Sequence, residues 1–252
     1  MQALGFQAIA GEAKLRLLPT PWPTDSLPPP TSSLLSIASS KGLVAAAGPE
    51  SVIVASTKSV RQALHSPTDG NVKSFNPQLT LPLGMRVSQI AFSADENFLV
   101  LSAESGGGLA VYDVQSLMQG NTQRAFEIAT NGTALRALVP NPTPEKAELF
   151  AAVSTNGELL IADLKSKQFL TGSQGQVLKS GVSCVSWSNR GKQLIAGLGE
   201  GSLHQMKPEG EGTGAISKPP GLEGEQFGKN FARIRITSLL MIISLINIMV
   251  RK

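Results

Sequence analysis

The feature that most constrains this chain is a segment that it repeats. "RVSQIAFSADENFLVLSAESGGGLAVYDV", Arg86 to Val114, places Val87, Ile90 and Phe92 on the apolar face of a first strand, ahead of the polar turn Ser93-Ala94-Asp95-Glu96-Asn97. Phe98 to Leu101 is nearly continuous apolar, as expected of a strand covered on both faces. Gly106-Gly107-Gly108 then breaks the chain before Leu109 to Asp113. Three consecutive antiparallel strands make a meander. The same grammar returns in "GVSCVSWSNRGKQLIAGLGEGSLHQM", where Trp187 takes the slot of Phe92, Ser188 to Gly191 is the turn, and Gly199-Glu200-Gly201 is the break.

A third copy lies between them. "TALRALVPNP", "ELFAAVS" and "NGELLIADL" supply its strands, and Leu159 to Asp163 matches Leu109 to Asp113 residue by residue, 50 positions on. Leu159 to Leu203 is a further 44. A fourth, earlier copy is "SLLSIASSKGLVAAAGPESVIVAST", with turns at Lys41-Gly42 and Gly48 to Ser51. Short strands between turns also suit a β-sandwich. A fixed long period decides against it, because a unit of roughly 40 to 50 residues that cannot bury its own faces must stack on copies of itself. The expectation is an all-β chain, a partial (truncated) seven-bladed β-propeller with four-stranded antiparallel blades. Residues 124–128 and 168–170 would supply outer fourth strands. Residues 1–226 form the propeller portion, four to five blades' worth.

Composition agrees. Hydrophobic residues are 41% of 252, and 25 glycines with 16 prolines favour many turns over long helices. The net charge is only +4 and the 22 basic residues are scattered, which argues against direct nucleic-acid binding. One cysteine, Cys184, excludes an intrachain disulfide and fits a reducing compartment; it reads as a small buried strand residue. The N-terminus lacks the basic and apolar regions of a secretory signal, so the glycosylation pattern at Asn131 is set aside.

The two ends break the pattern. Phe6 to Ile9 and Leu15 to Leu18 read as a strand pair. The six prolines between Pro19 and Pro30 impose an extended loop that Trp22 and Leu27 would pin to the surface. Residues 227–252 form a non-propeller apolar tail. Its apolar run, Ile236 to Val250, is shorter than the ~20 residues of a membrane span and is interrupted by Thr237, Ser238, Ser244 and Asn247. Gly228-Lys229 can be encoded as GGTAAG, which contains a common intron donor, and the hypothesis is that the tail is intron-derived. Sequencing the transcript across these codons tests it. If the tail is native, a tail-anchored membrane protein with a cytosolic β domain is the rival reading.

"LLPTPWPTDSLPPPTSSLLSIASSKGLVAAAGPESVIVASTKSVRQAL", "FSADENFLVLSAESGGGLAVYDVQSLMQG" and "KPPGLEGEQ" resemble one family closely. They are similar to the N-terminal β-propeller of the fungal cytoplasmic-filament nucleoporin, whose animal counterpart is the large FG nucleoporin on the cytoplasmic face of the nuclear pore. The resemblance covers about Leu4 to Gln226 and rests on the Pro-rich loop and the Ala-rich first unit. It implies a seven-bladed binding module that docks the DEAD-box helicase of mRNA export, with other nucleoporins as partners of the full-length protein. It further implies an acidic propeller side facing a basic helicase side. The chain departs from the family in having at most five blades and in lacking FG repeats and a coiled coil. An open propeller leaves bare edges, so the isolated chain is expected to be poorly soluble.

No enzyme chemistry is signalled. Gly106 to Gly108 has no following Lys-Ser/Thr or helix, as a phosphate loop requires. His65, placed in a Ser/Pro loop, and His204, in a third strand, are the only histidines. With one cysteine they make no zinc site, and no Gly-x-Ser-x-Gly elbow is present. No cofactor is implied. The candidate partner-binding residues are Asp95 and Glu96 in the first turn of the best-defined unit and Glu104 beside its glycine break. Ordinary solvation of turns accounts for the same residues.

Overall fold

A computed structural model describes residues 15–65, 72–130, 132–170, 181–209 and 212–217. It opens with β1 (Leu15–Arg16). The first blade is β2 (Leu35–Ala38), β3 (Leu43–Ala47) and β4 (Ser51–Ser56), then α1 (Thr57–His65), β5 (Lys73–Ser74) and the outer strand β6 (Leu79–Pro82). The second is β7 (Val87–Phe92), β8 (Phe98–Ala103) and β9 (Leu109–Asp113), then α2 (Val114–Met118) and β10 (Phe126–Ile128). The third is β11 (Leu135–Pro140), β12 (Leu149–Ser154), β13 (Leu159–Asp163) and β14 (Gln168–Leu170); the fourth is β15 (Val182–Trp187), β16 (Leu194–Leu198), β17 (Leu203–Met206) and β18 (Gly212–Ala215). Each blade is a four-stranded antiparallel sheet, with the proposed fourth strands in place. The fold is an all-β propeller.

Successive inner strands β2, β7, β11 and β15 are neighbours, and Ser33 bridges Gln89 in parallel, so the first two run the same way. One core lies at each junction. Val54 and Leu81 pack with Ile90, Phe92 and Tyr112 between the first and second blades; Val100, Val111 and Ile128 pack with Leu138 and Phe150 between the second and third. Ala151 and Ile161 pack with Trp187, Leu194 and Met206 between the third and fourth. Both faces of the central strands of the second and third blades are therefore dry, which explains their unbroken apolar runs. The Trp187 indole N–H donates to Val139 O at 3.0 Å, fixing the last junction with a polar bond as well as area.

Three of the four inner strands share a bulge, β2 pairing without one. The register shifts between Val87 and Gln89, between Leu135 and Ala137, and between Val182 and Cys184. The extra residue reaches forward in two of the three cases. The Ser88 hydroxyl donates to Leu135 O at 3.1 Å, and Arg136 Nη2 donates to Val182 O. A bulge re-aims one side chain out of the ladder, and here it laces one blade to the next.

Several expectations change. Cys184 is exposed rather than buried, because the face of β15 that carries it is turned away from the third blade. Leu27 is 65% exposed and pins nothing, whereas Trp22 does hold the Pro-rich loop, with the Arg86 guanidinium 5.7 Å from its ring centroid. Leu15–Arg16 pairs in parallel with Lys73–Ser74, and Phe6 to Ile9 lies outside the described residues. His65 ends α1 instead of lying in a loop; His204 is in β17 as expected. The tail and the 226/227 boundary lie outside the described residues. Among the described residues no helix is long and apolar enough to cross a membrane, and no group of three His, Cys, Asp or Glu side chains is placed to hold a metal.

Candidate interaction surface

Hairpins alternate between the two rims of a meander, which separates the sequence candidates at once. Asp95 and Glu96 occupy the β7–β8 turn, and Glu104 follows β8 at the opposite end of the same sheet. The structure does not bring the three together.

Asp95 organises its own turn. Its carboxylate accepts from the Ser93 hydroxyl at 2.6 Å, from Asn97 N at 3.1 Å and from Asn97 Nδ2 at 2.8 Å. Partial burial pushes its pKa up, but these hydrogen bonds outweigh that and hold it below the usual carboxylate range. With the folded-state value depressed, the stabilisation is fully present above the unfolded carboxylate pKa of about 3.9 and is lost as pH falls through the folded value. Thermal melts of the native chain and Asp95→Asn should therefore differ by a constant gap from neutral pH down to about 4 and converge below it. A gap independent of pH would count against this role.

Glu96 joins two blades. It sits at φ 58°, a left-handed conformation uncommon for a side chain with a Cβ, and its carboxylate accepts from Ser40 N at 3.0 Å and Lys41 N at 2.7 Å in the β2–β3 turn. The third and fourth blades use another residue type for the same purpose. Buried Asn141 donates to Gly191 O at 2.9 Å and accepts from Thr143 N and Oγ1. Sequence reading missed Asn141. Its signal was local, an Asn-Pro-Thr turn, but its partner is 50 residues away.

The Glu104 rim shows a pattern that appears only when the blades are superposed by strand order. The β3–β4, β8–β9, β12–β13 and β16–β17 turns each carry one glutamate, Glu50, Glu104, Glu158 and Glu200, and none carries a lysine or arginine. Glu50 and Glu200 are exposed, while Glu104 and Glu158 are half-buried. Glu200 accepts from the Ser202 hydroxyl and Glu158 from the Ser154 hydroxyl, so these two are oriented by their own turns. Beside Glu104, Leu83, Met85, Leu109 and Ile128 wall a cleft that also touches the Arg124–Glu127 ion pair. The opposite rim is mixed, with Lys41, Lys146, Arg190 and Lys192 among Asp95, Glu96, Glu145 and Glu148.

A family model described as the NUP159/214 beta propeller matches residues 28–243. The chain belongs to that family. The match ends inside the apolar tail. Nucleoporin NUP159 of Chaetomium thermophilum is 56% identical over 224 residues, 88% of this chain and 15% of that protein. Nucleoporin nup146 of Schizosaccharomyces pombe is 27% identical over 77% of the chain and 14% of its own length, and the human nuclear pore complex protein Nup214 is 25% identical over 89% and 11%. The chain thus spans a small fraction of the curated relatives it matches. The crystal structure of the N-terminal domain of Nup159 superposes with a TM-score of 0.54 at 20% identity, over 78% of this chain and 47% of that one, which supports the fold. The chain carries a nucleoporin β-propeller, as its Pro-rich loop and Ala-rich first blade implied.

Proposed function

We propose that this propeller works at the cytoplasmic face of the nuclear pore complex as a docking platform for the DEAD-box RNA helicase of mRNA export, alongside the other nucleoporins. It is a binding module and not an enzyme. Family membership supports the setting, and the rim with one glutamate per blade is the observation that carries the docking. Regularly spaced carboxylates, in turns that themselves carry no cation, bias this rim toward negative charge, with the nearby Arg86 held over Trp22 and Arg124 paired with Glu127. Such a bias attracts a basic protein face over a Debye length of about 8 Å at physiological salt. Glu104, flanked by the apolar cleft, is the proposed centre of contact.

Titrating the purified helicase against the chain tests this. Glu50→Lys, Glu104→Lys and Glu200→Lys combined should lower affinity at low salt by about tenfold or more, chiefly through the association rate, and the loss should shrink as salt rises. Unchanged affinity in the triple variant would reject the rim. Asp95→Lys with Glu96→Lys is the second arm, since both remain proposed contacts. Because the Asp95 carboxylate holds its own turn and that of Glu96 holds the β2–β3 turn of the neighbouring blade, a loss of binding there is read together with a melt, and only a loss at unchanged Tm supports contact.

A further inference from the structure

The loop between β11 and β12 carries a pattern that helicase docking does not use. Pro144 shuts its predecessor out of the helical region, and Thr143 is extended at φ −106° and ψ 135° before a short 3-10 turn, Pro144–Lys146, begins. A hydroxyl on extended backbone, followed by proline and with a cation three residues on, is what a proline-directed protein kinase reads in the strand of substrate that it binds. The sequence holds three Ser/Thr-Pro dipeptides, Thr20-Pro21, Ser66-Pro67 and Thr143-Pro144. The residue three positions on is Pro23 in the first, Asp69 in the second and Lys146 in the third, so Thr143 alone meets both conditions. Pro142, Pro144 and Glu145 around it are exposed, and Thr143 itself is half-buried.

The surroundings of the hydroxyl give a phosphate somewhere to go. Thr143 Oγ1 donates to Asn141 Oδ1 at 2.9 Å, and that oxygen blocks the position a Cβ on Gly191 would take. The loop therefore faces the β15–β16 turn of the fourth blade across a single side chain. That turn carries Arg190 and Lys192 on either side of Gly191 and no carboxylate, while Glu145 and Glu148 belong to the loop itself. Asn141 keeps its place without the hydroxyl, because it also accepts from Thr143 N at 3.1 Å and donates to Gly191 O at 2.9 Å.

We infer that Thr143 is a phosphorylation site for a proline-directed kinase, and that its phosphate is held by Arg190 and Lys192 of the next blade. The reaction moves the γ-phosphoryl group of ATP. Its bond to the β-phosphate oxygen breaks, a bond from phosphorus to Oγ1 forms, the hydroxyl proton passes to the kinase's base, and ADP leaves. The product carries about two negative charges and three acceptor oxygens where there was one donor. A neutral contact between the third and fourth blades becomes a charge-assisted one.

The test treats the full 252-residue chain with ATP and a purified cyclin-dependent kinase, a proline-directed enzyme that selects a basic residue at this spacing. Peptide fragmentation should map the added phosphoryl group to Thr143 ahead of Thr20 and Ser66. Pro144→Ala should abolish labelling at Thr143, and Lys146→Ala should slow it roughly fivefold, the worth of one well-made exposed ion pair. At low salt the phosphorylated chain should melt at least about 3 °C above the untreated one, by a gap that shrinks as salt rises. Thr143→Val treated in parallel should show no such rise, whatever is added at Thr20 or Ser66, and Arg190→Gln with Lys192→Gln should remove it. An unlabelled Thr143, labelling that survives Pro144→Ala, or a phosphorylated chain that melts no higher than the untreated one overturns the inference. A rise that persists without Arg190 and Lys192 overturns it as well.

Discussion

Phe150→Ala is expected to cost about 3–5 kcal/mol, enough to take a marginally stable domain most of the way to unfolding. Phe150 is fully buried in β12, in the core where the second and third blades meet, against Val100, Val111 and Ile128 from one side and Leu138 from its own sheet. Neither blade can close the resulting void without separating from its neighbour. The loss should appear as a fall in Tm of roughly 10 °C or more, at about 2–4 °C per kcal/mol for a chain of this size. Met118→Ala, at an exposed position in α2, should change stability by no more than about 0.5 kcal/mol and serves as the control. Equal melts for the two variants would mean that this junction is not a cooperative core.

The second large effect is expected at the glycine break. Gly107 has φ 69°, and a Cβ there would lie 1.8 Å from the Thr130 hydroxyl and 2.5 Å from the Thr133 carbonyl oxygen. The first neighbour can rotate away, but the second is backbone in the connection to the third blade. Gly106 has φ 79° with nothing within 4 Å of the same added atom. Gly106→Ala should therefore cost only the left-handed penalty of about 1–2 kcal/mol. Gly107→Ala should cost several kcal/mol and move the β8–β9 turn off the connection, with loss of hydrogen-exchange protection around Leu109. Equal costs at the two positions would remove the steric part of this account.

Much of this was legible before any coordinates, and the particular elements show why. The turns at Lys41-Gly42, Ser93 to Asn97 and Ser188 to Gly191 announce themselves by residue type. The outer strands β10 and β14 followed from the length left over in each repeat. Phe92 and Trp187 were correctly placed in one slot because strand pairing is counted along the chain. The candidate site was less legible. Glu96 looked like solvated turn charge, and only the neighbouring blade supplies the two amide donors that occupy it. The glutamate rim could have been found by aligning the second turn of every repeat, because each turn carries its own Glu.

What the sequence by itself determined is the unit. Alternation, turn residues and a period near 50 leave a short meander no way to bury its faces except on its own copies, so the architecture follows from local chemistry. What only the tertiary structure decided is which face of which copy is covered. Cys184 and Gln89 sit in equivalent slots of equivalent strands, yet Gln89 is buried with bonds to Thr31 O and Arg136 O, and Cys184 is exposed. The physical reason is that exposure belongs to the stack: a residue's environment in a propeller is set by the blade beside it, and that blade is encoded some 50 residues away.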